Sequence, residues 1–475
     1  MILRSYQHEP ACDVLSCFEN VARTVLLVMP CRSGKTPTLC YVVSHEPGRV
    51  WVIAHRQELI AQASETLDKF NIAHGVVKSG YPFDPKQRVQ VASIQTLARR
   101  YHLLPKPDLI VADEAHHSVS NSYQKVIGDN RKARVLGVTA TPVRLNGQGL
   151  GEVFEHMIIG PSARWLTDEG FLTAAEYYAP PQVADTSHLS KRGGDYAKDE
   201  MAEVMDRHTV TGDAVEHYQR ICDGVPIIVF CTTILHAEHV AKQYADAGYR
   251  AVSVDGSMSD ADRKDRIYGL DTGKYQVVTS CELVGEGLDI PGVTAVQLLR
   301  PTASLGLHNQ QICRPLNPVY ADGFDLTTKE GRLAAIAAGP KPRAFILDHV
   351  NNSKHGLPTK EHQWTLAGTT KKKRDSVPAL RTCSSCFLAH EPSPTCPNCG
   401  TIYPVATKAL HRIETVDGKL VKIEETKEER STALQNARSM VELIAFAKAR
   451  GYQRPSFWAM KVFKGRSYTH HMPRI

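Results

Sequence analysis

The stretch Leu109-Ile110-Val111-Ala112-Asp113-Glu114-Ala115-His116 decides the fold. Four apolar residues followed by two adjacent carboxylates describe a strand buried on both faces that ends at a charged edge. Such strands belong to parallel α/β sheets, whose crossover helices cover both faces and whose ligands gather at the carboxyl ends of the strands. In that position Asp113 would hold Mg²⁺, and Glu114 would orient and deprotonate an attacking water. A lone Asp-Glu pair is ordinarily a solvated loop start. The apolar run before this one, and Ala115-His116-His117 after it, argue against that role.

Upstream, Val28-Met29-Pro30-Cys31-Arg32-Ser33-Gly34-Lys35-Thr36 follows a strand and opens a helix, the context of a phosphate loop. Backbone N–H groups and the helix N-terminus can surround a β-phosphate. Lys35 would neutralise charge on the β- and γ-phosphates, and Thr36 would place its hydroxyl on Mg²⁺. The full G-x-x-x-x-G-K-[ST] pattern is not met, because Met29 occupies the first glycine position. Loop and acid pair together, in this order, read as nucleotide hydrolysis.

Around these motifs, β-branched runs alternate with helical patterns. Strands are expected at Thr24 to Met29, Val50 to Ala54, Val89 to Ser93, Leu109 to Ala112 and Val135 to Thr139. A second series follows at Ile227 to Phe230, Ala251 to Val254, Gln276 to Thr279, Ala295 to Leu299 and Ala344 to Leu347. This is βα alternation in two tandem domains. The expected division is 1–160 for the first domain, 161–225 for a connector with a helix at His208 to Arg220, and 226–350 for the second. A basic linker (351–380) with Lys371-Lys372-Lys373-Arg374, a cysteine module (381–404) and a helical tail (405–475) complete the chain. At 475 residues the chain exceeds what one core supports. A net charge of +7 permits a polyanionic partner without requiring one. The absence of an apolar run of about 18 residues, and of a secretion signal at the start, leads to the expectation of an intracellular, cytoplasmic protein with no membrane partner.

The twelve cysteines divide into two groups. Eight are scattered (Cys12, Cys17, Cys31, Cys40, Cys222, Cys231, Cys281 and Cys313) and read as small buried thiols rather than disulfides. The other four form two C-x₂-C knuckles, Cys383-Ser384-Ser385-Cys386 and Cys396-Pro397-Asn398-Cys399, with Gly400 at the turn after the second. This spacing supplies four thiolates to one tetrahedral Zn²⁺, a structural ion with no open position. The basic approach at 371–374, with Arg381, favours nucleic acid over protein as its partner.

With these motifs in hand, residues 1 to about 350 resemble superfamily 2 helicases and translocases of the DEAH type. The likeness is greatest to RadD-like proteins and type III restriction helicase subunits, which implies a bacterial or phage-type context. Leu3-Arg4-Ser5-Tyr6-Gln7 is similar to the adenine-recognising motif, with Gln7 on the adenine edge. Pro30 to Thr36 resembles motif I, Ala54-His55-Arg56-Gln57-Glu58-Leu59 motif Ia, and Ala92-Ser93-Ile94-Gln95-Thr96-Leu97 motif Ib. Asp113-Glu114-Ala115-His116 resembles motif II and Thr139-Ala140-Thr141-Pro142 motif III. In the second domain, Ile228 to Cys231, Val278 to Pro291 (with Gly287 and Asp289) and Gln310 to Pro318 resemble motifs IV, V and VI.

The resemblance implies two RecA-like domains with ATP and Mg²⁺ in the cleft between them. It makes Lys35, Asp113, Glu114, His116 and Arg314 the catalytic candidates. Arg4, Gln7, Arg32, Ser33, Gly34, Lys35, Thr36, Gly287 and Asp289 are the ATP-binding candidates, and Thr36 and Asp113 the Mg²⁺ ligands. His55, Arg56, Ser93 and Thr279 are expected to touch nucleic acid, mostly at phosphates. It also implies DNA as the partner, leaving RNA open. Three positions depart from the pattern: Arg32 and Cys313 stand at usual glycines, and Asn317 stands where an arginine finger is usual. Such fingers contribute about 10³ to 10⁵ in rate. A chain without one is either slow, working as a nucleic-acid clamp, or uses Arg314 or Arg32 instead.

Overall fold

Short β-branched runs become strands only where helices can cover both faces. In a computed structural model the described residues are 3–55, 57–144, 147–179, 191–192, 195–196, 208–281, 290–368, 381–382, 389–390, 394–395, 400–402, 421–422, 439–449, 455–456, 458–460 and 462. Among them, these runs build two seven-stranded sheets. The first comprises α1 (Ser5–Asn20), β1 (Thr24–Val28), α2 (Lys35–His45), β2 (Val50–Ala54), α3 (Gln57–Lys69), β3 (His74–Val77), β4 (Val89–Ser93), α4 (Ile94–Arg100), β5 (Leu109–Asp113), α5 (Asn121–Gly128), β6 (Arg134–Thr139) and β7 (His156–Ile159). Its order is β3-β4-β2-β5-β6-β1-β7, parallel throughout. Every residue of β1, β2 and β5 is buried. Alternate side chains along them feed two different cores, one on each face.

The second sheet differs from the expected domain division. After α6 (Ala163–Asp168) comes β8 (Ala175–Ala179), and a short antiparallel pair, β9 (Lys191–Arg192) and β10 (Asp195–Tyr196), follows. The sheet continues with β11 (Ile227–Phe230), β12 (Ala251–Val254), β13 (Val277–Ser280), β14 (Ala295–Leu298) and β15 (Ala344–Asp348). Beyond them lie β16 (Arg381–Thr382), β17 (Ala389–His390) and β18 (Val421–Lys422). Strand order is β12-β13-β11-β14-β15-β8-β18, parallel except for β18 on β8.

Residues 161–225 are therefore no mere connector. β8 is a strand of the second domain, and the helix His208–Cys222 packs Ala214, Tyr218 and Cys222 against Val229 and Tyr244. The described part of the expected linker, 351–368, also doubles back: Trp364 and Leu366 pack on the first core, and the Leu366 carbonyl accepts from Gly151 N at 2.9 Å. Gly149 permits this approach, since a Cβ there would lie 2.1 Å from the Leu366 oxygen. Part of the tail is helical as expected (Met440–Ala449), with Phe446 stacked on Trp458. β18, from the same tail, instead closes the second sheet. No described helix is long and apolar enough to cross a membrane.

Candidate active site

Register brings the two opening motifs to one level. β1 pairs Val28 with Thr139, and β5 pairs Asp113 with Val138, so the residues after Val28, Thr139 and Asp113 leave the sheet side by side. The loop after β1 then turns through two left-handed residues, Arg32 (φ +66°) and Gly34 (φ +81°), before Lys35 opens α2 with Thr36 behind it. A Cβ on Gly34 would sit 2.0 Å from Gln7 Nε2. The bare glycine lets the buried Gln7 amide donate to the Ser33 carbonyl at 3.0 Å, while Gln7 Oε1 accepts from Arg4 N at 3.0 Å. Ser33 is itself fixed by its hydroxyl, which donates to the Pro30 carbonyl at 2.7 Å. Gln7 thus ties the start of α1 to the phosphate loop.

Around Arg4 the surface is aromatic. Its guanidinium lies 5.2 Å from the Phe171 ring, which is 4.6 Å from Tyr6 and 5.9 Å from Trp165. Arg332 of the second domain lies 3.9 Å over the same Phe171 ring and donates to the Glu169 carbonyl. None of this was foreseen from the sequence, because Trp165, Phe171 and Arg332 sit in no recognisable motif.

The charges converge at the carboxyl end of β5. Burial pushes the Asp113 carboxyl up to about 6, with Glu114 pushing the same way and Lys35 opposing both. Burial disfavours the Lys35 charge, but the negative neighbours Cys31, Glu114 and Asp113 outweigh it and hold the ammonium above its usual range. Glu114 adopts φ +50°, and its Oε2 lies 3.4 Å from His116 Nδ1. The same His116 nitrogen is 3.4 Å from Thr139 Oγ1, which accepts from Thr141 N. His116 therefore links the acids to the Thr139–Pro142 turn. Among the described residues, four non-glycines have positive φ: Arg32, Asn71, Glu114 and Asn351. Asparagine visits this region readily; elsewhere it costs roughly 1–2 kcal/mol. The two positions without that excuse, Arg32 and Glu114, both belong to this site.

The second domain contributes Arg314, in a short 3₁₀ turn after the helix Leu305–Ile312. Burial and then the like charge of Arg32 lower its guanidinium to about 10, against Cys31, Cys313 and Glu114, which favour the cation. Its charge is therefore felt by Arg32, Cys31 and Glu114 of the first domain. Asn317 follows the turn in extended conformation, half-buried.

The expected nucleic-acid residues fare unequally. His55 is exposed, stacks on His117 at 4.6 Å, and its carbonyl accepts from Gln95 Nε2. Ser93 caps α4: its hydroxyl accepts from Thr96 N at 3.4 Å and donates to Gln95 Oε1 at 2.8 Å. Thr279 is a correction. It is fully buried inside β13, its hydroxyl spent on the Ala237 carbonyl at 2.6 Å, so it offers no contact to a strand bound outside. Arg56, Gly287, Asp289 and the four knuckle cysteines (Cys383, Cys386, Cys396, Cys399) lie outside the described residues.

Residues 1–144 match the family model of the type III restriction enzyme res subunit, and residues 213–317 that of the helicase conserved C-terminal domain. A 51.5 kDa protein of Lactococcus phage is 28% identical over 391 residues, 81% of this chain and 76% of that one. A Saccharomyces cerevisiae protein named as an ATP-dependent helicase, IRC3, is 28% identical over 340 residues, 66% of this chain. The chain spans about half (49%) of that yeast relative. Among solved structures, a Vibrio vulnificus fragment assigned to the HsdR subunit of a type I restriction enzyme superposes with a TM-score of 0.57 at 18% identity. That match covers 75% of this chain and 66% of the fragment. The type ISP restriction-modification enzyme LlaBIII, solved with DNA, gives 0.54 at 17% identity over 74% of this chain and 28% of its own.

Two RecA-like sheets with these domain matches define an ATP-hydrolysing enzyme of the helicase class. Within that class the two matched stretches are similar to superfamily 2 helicases of the type III restriction kind.

Proposed function

We propose that the chain is an ATP-driven DNA translocase or helicase of the RadD-like kind, whose rate depends on Arg314. The supporting observation is Arg314 itself: a buried cation of the second domain whose charge feels Arg32, Cys31 and Glu114 of the first. Charge that develops on a transferring phosphoryl group is stabilised most by cations already desolvated and aimed at it. Lys35 and Arg314 approach that position from opposite domains, and Glu114 is held by its strained backbone as the base for water. His116 passes the state of the acids to Thr139. Thr36 and Asp113 would hold the Mg²⁺ that accompanies ATP, and the left-handed loop at Arg32 and Gly34, with the N-terminus of α2, fits a phosphate. Adenine would lie near Gln7 and Arg4. Closing and opening of the cleft would move a strand held near His55, Arg56 and Ser93.

The C-terminal knuckles are read as a Zn²⁺ ribbon that extends the DNA surface. The antiparallel pairing of β16 with β17 and the left-handed Gly400 (φ +71°) are consistent with such a turn-rich module. Asn317 favours a second reading, in which ATP sets a nucleic-acid clamp with little turnover.

The test is ATP turnover with single-stranded, duplex and branched DNA and with RNA at matched salt, since such binding is steeply salt-dependent. DNA should stimulate, and Arg314→Ala should lower the stimulated rate by about 10²-fold or more. Equal rates for Arg314→Ala and the parent would remove Arg314 from the mechanism. A large gain in Asn317→Arg would establish the clamp instead.

A further inference from the structure

Neighbouring strands of the first sheet, in the order β4-β2-β5-β6, end on residues that touch in a row. Register places Ser93 beside Ala54, Ile53 beside Ala112 and Asp113 beside Val138, so the loops that follow leave one edge of the sheet together. At the β4 end, the Ser93 hydroxyl donates to Gln95 Oε1, and Gln95 Nε2 lies 3.5 Å from His55 Nδ1. His55 follows β2 and is exposed. Its ring stacks on half-buried His117, with centroids 4.6 Å apart and planes 21° from parallel. The His117 ring lies in turn 4.2 Å from that of His116, which is largely buried and meets both Glu114 and Thr139.

The inner end of this row has two settings. The Thr139 hydroxyl donates to the Thr141 carbonyl at 3.2 Å, which leaves its oxygen an acceptor toward His116. The Glu114 carboxylate is an acceptor as well, and beside His116 Nδ1 it favours the tautomer with the proton on that nitrogen. Two acceptors then face one N–H, each at 3.4 Å. A single N–H is aligned with one of them only at the expense of the other, and both contacts are longer than a well-made hydrogen bond. His116 is thus poised between the acid and the Thr139–Pro142 turn, and the ring packed on it is His117.

We propose that His117 is a positioning residue that passes the binding of single-stranded DNA at His55 to His116, which then turns to Thr139 and frees Glu114 for the attacking water. An exposed imidazole offers a π face to any base, so contact at His55 carries no sequence preference. A base settled there shifts a ring already stacked on His117, and His117 carries the shift to His116. Without DNA, His116 stays with Glu114 Oε2 and the base is occupied. With DNA, the same N–H goes to Thr139 Oγ1 and the carboxylate is open to water. Coupling of two sites needs such an element with two arrangements, each favoured by a different state of the ligand. The role rests on the reading of Glu114 as base and His55 as DNA contact; the stack of three imidazoles does not.

The full chain is assayed for ATP turnover with and without single-stranded oligo-dT, and the ratio of the two rates is compared among variants. His117→Ala should lower that ratio about tenfold, and His117→Phe, which returns a ring to the stack, should recover most of it. A packing role alone would depress both rates together and leave the ratio unchanged. That result overturns the proposal, as does a ratio in His117→Phe no higher than in His117→Ala. A second readout needs no ATP. In the chain with isotope-labelled histidine and no nucleotide, oligo-dT should shift the His116 ring resonances, assigned by their loss in His116→Gln, and should not shift them in His117→Ala. No shift in the parent, or an equal shift in His117→Ala, overturns the relay. A shift that depends on His117 in a chain that hydrolyses no ATP upholds the relay and refutes the ATPase reading. DNA-stimulated turnover with its ratio untouched in His117→Ala refutes the relay and leaves the ATPase reading standing.

Discussion

β5 and β15 end alike in sequence, Leu109-Ile110-Val111-Ala112-Asp113 and Ala344-Phe345-Ile346-Leu347-Asp348, and both terminal aspartates are buried with raised carboxyl pKa values. Their surroundings separate them. Asp348 accepts from the Tyr177 hydroxyl at 2.8 Å, Val350 N at 3.0 Å and Ser353 N at 2.7 Å. Among the described hydrogen bonds, Asp113 accepts one, from Glu114 N at 3.0 Å, and otherwise faces Lys35 and a second carboxylate. The same strand-end acid is structural where backbone and hydroxyl donors fill its lone pairs, and is left available for chemistry where they do not.

The largest effect that would test this contrast is at Glu114. Glu114→Gln keeps the shape and removes the base, so DNA-stimulated turnover should fall about 10²- to 10⁴-fold, with the melting temperature unchanged or slightly raised. Turnover within about tenfold of the parent would leave Glu114 no role as base. Asp348→Ala should do the reverse. It strands a hydroxyl and two N–H groups, each costing about 1–3 kcal/mol when buried without an acceptor. In urea the second domain should unfold first; a loss under about 0.5 kcal/mol would make the network ornamental.

A smaller effect belongs to pH. His308 is fully buried beside Tyr177, its Nε2 on the Gly356 carbonyl at 3.1 Å. Burial, with His355 and Lys354 nearby, lowers it from 6.5 to about 3. A depressed folded value means that the unfolded chain takes the proton first. Stability from this group is complete above about pH 6.5 and falls as the pH drops toward 3. His308→Gln keeps a donor for Gly356 and should flatten this acid limb in urea midpoints taken between pH 7 and 4. An unchanged slope would assign the acid sensitivity elsewhere.

Strands and motifs were legible because apolar runs and fixed spacings are local. β5, β11 and β12 keep their expected cores, and the phosphate-loop segment opens a helix at Lys35. Partnerships were not legible. Asp348 looks like Asp113 until Tyr177 arrives from a strand 171 positions away. β8 escaped notice because Ala175-Glu176-Tyr177-Tyr178-Ala179 gains burial only by pairing with β15. Thr279 read as a surface contact because its motif says nothing of the Ala237 carbonyl behind it.

The smallest effect lies in the phosphate loop, where strain and chemistry compete. Arg32 holds φ +66°, a conformation costing a side-chain-bearing residue roughly 1–2 kcal/mol and glycine almost nothing. Arg32→Gly removes that cost but frees the unfolded chain by about 0.4–1 kcal/mol, so the net gain is at most about 1 kcal/mol. It also removes a like charge that lowers Arg314. The nucleotide-free protein should therefore melt slightly higher. If the guanidinium has been kept at this strained position to meet phosphate, the same variant should need more ATP for half-maximal turnover. A rise in melting temperature together with a higher KM would show that stability is given up here for binding. A lower melting temperature would mean that the Arg32 side chain holds the loop together, and the strain at φ +66° is offset within the fold itself.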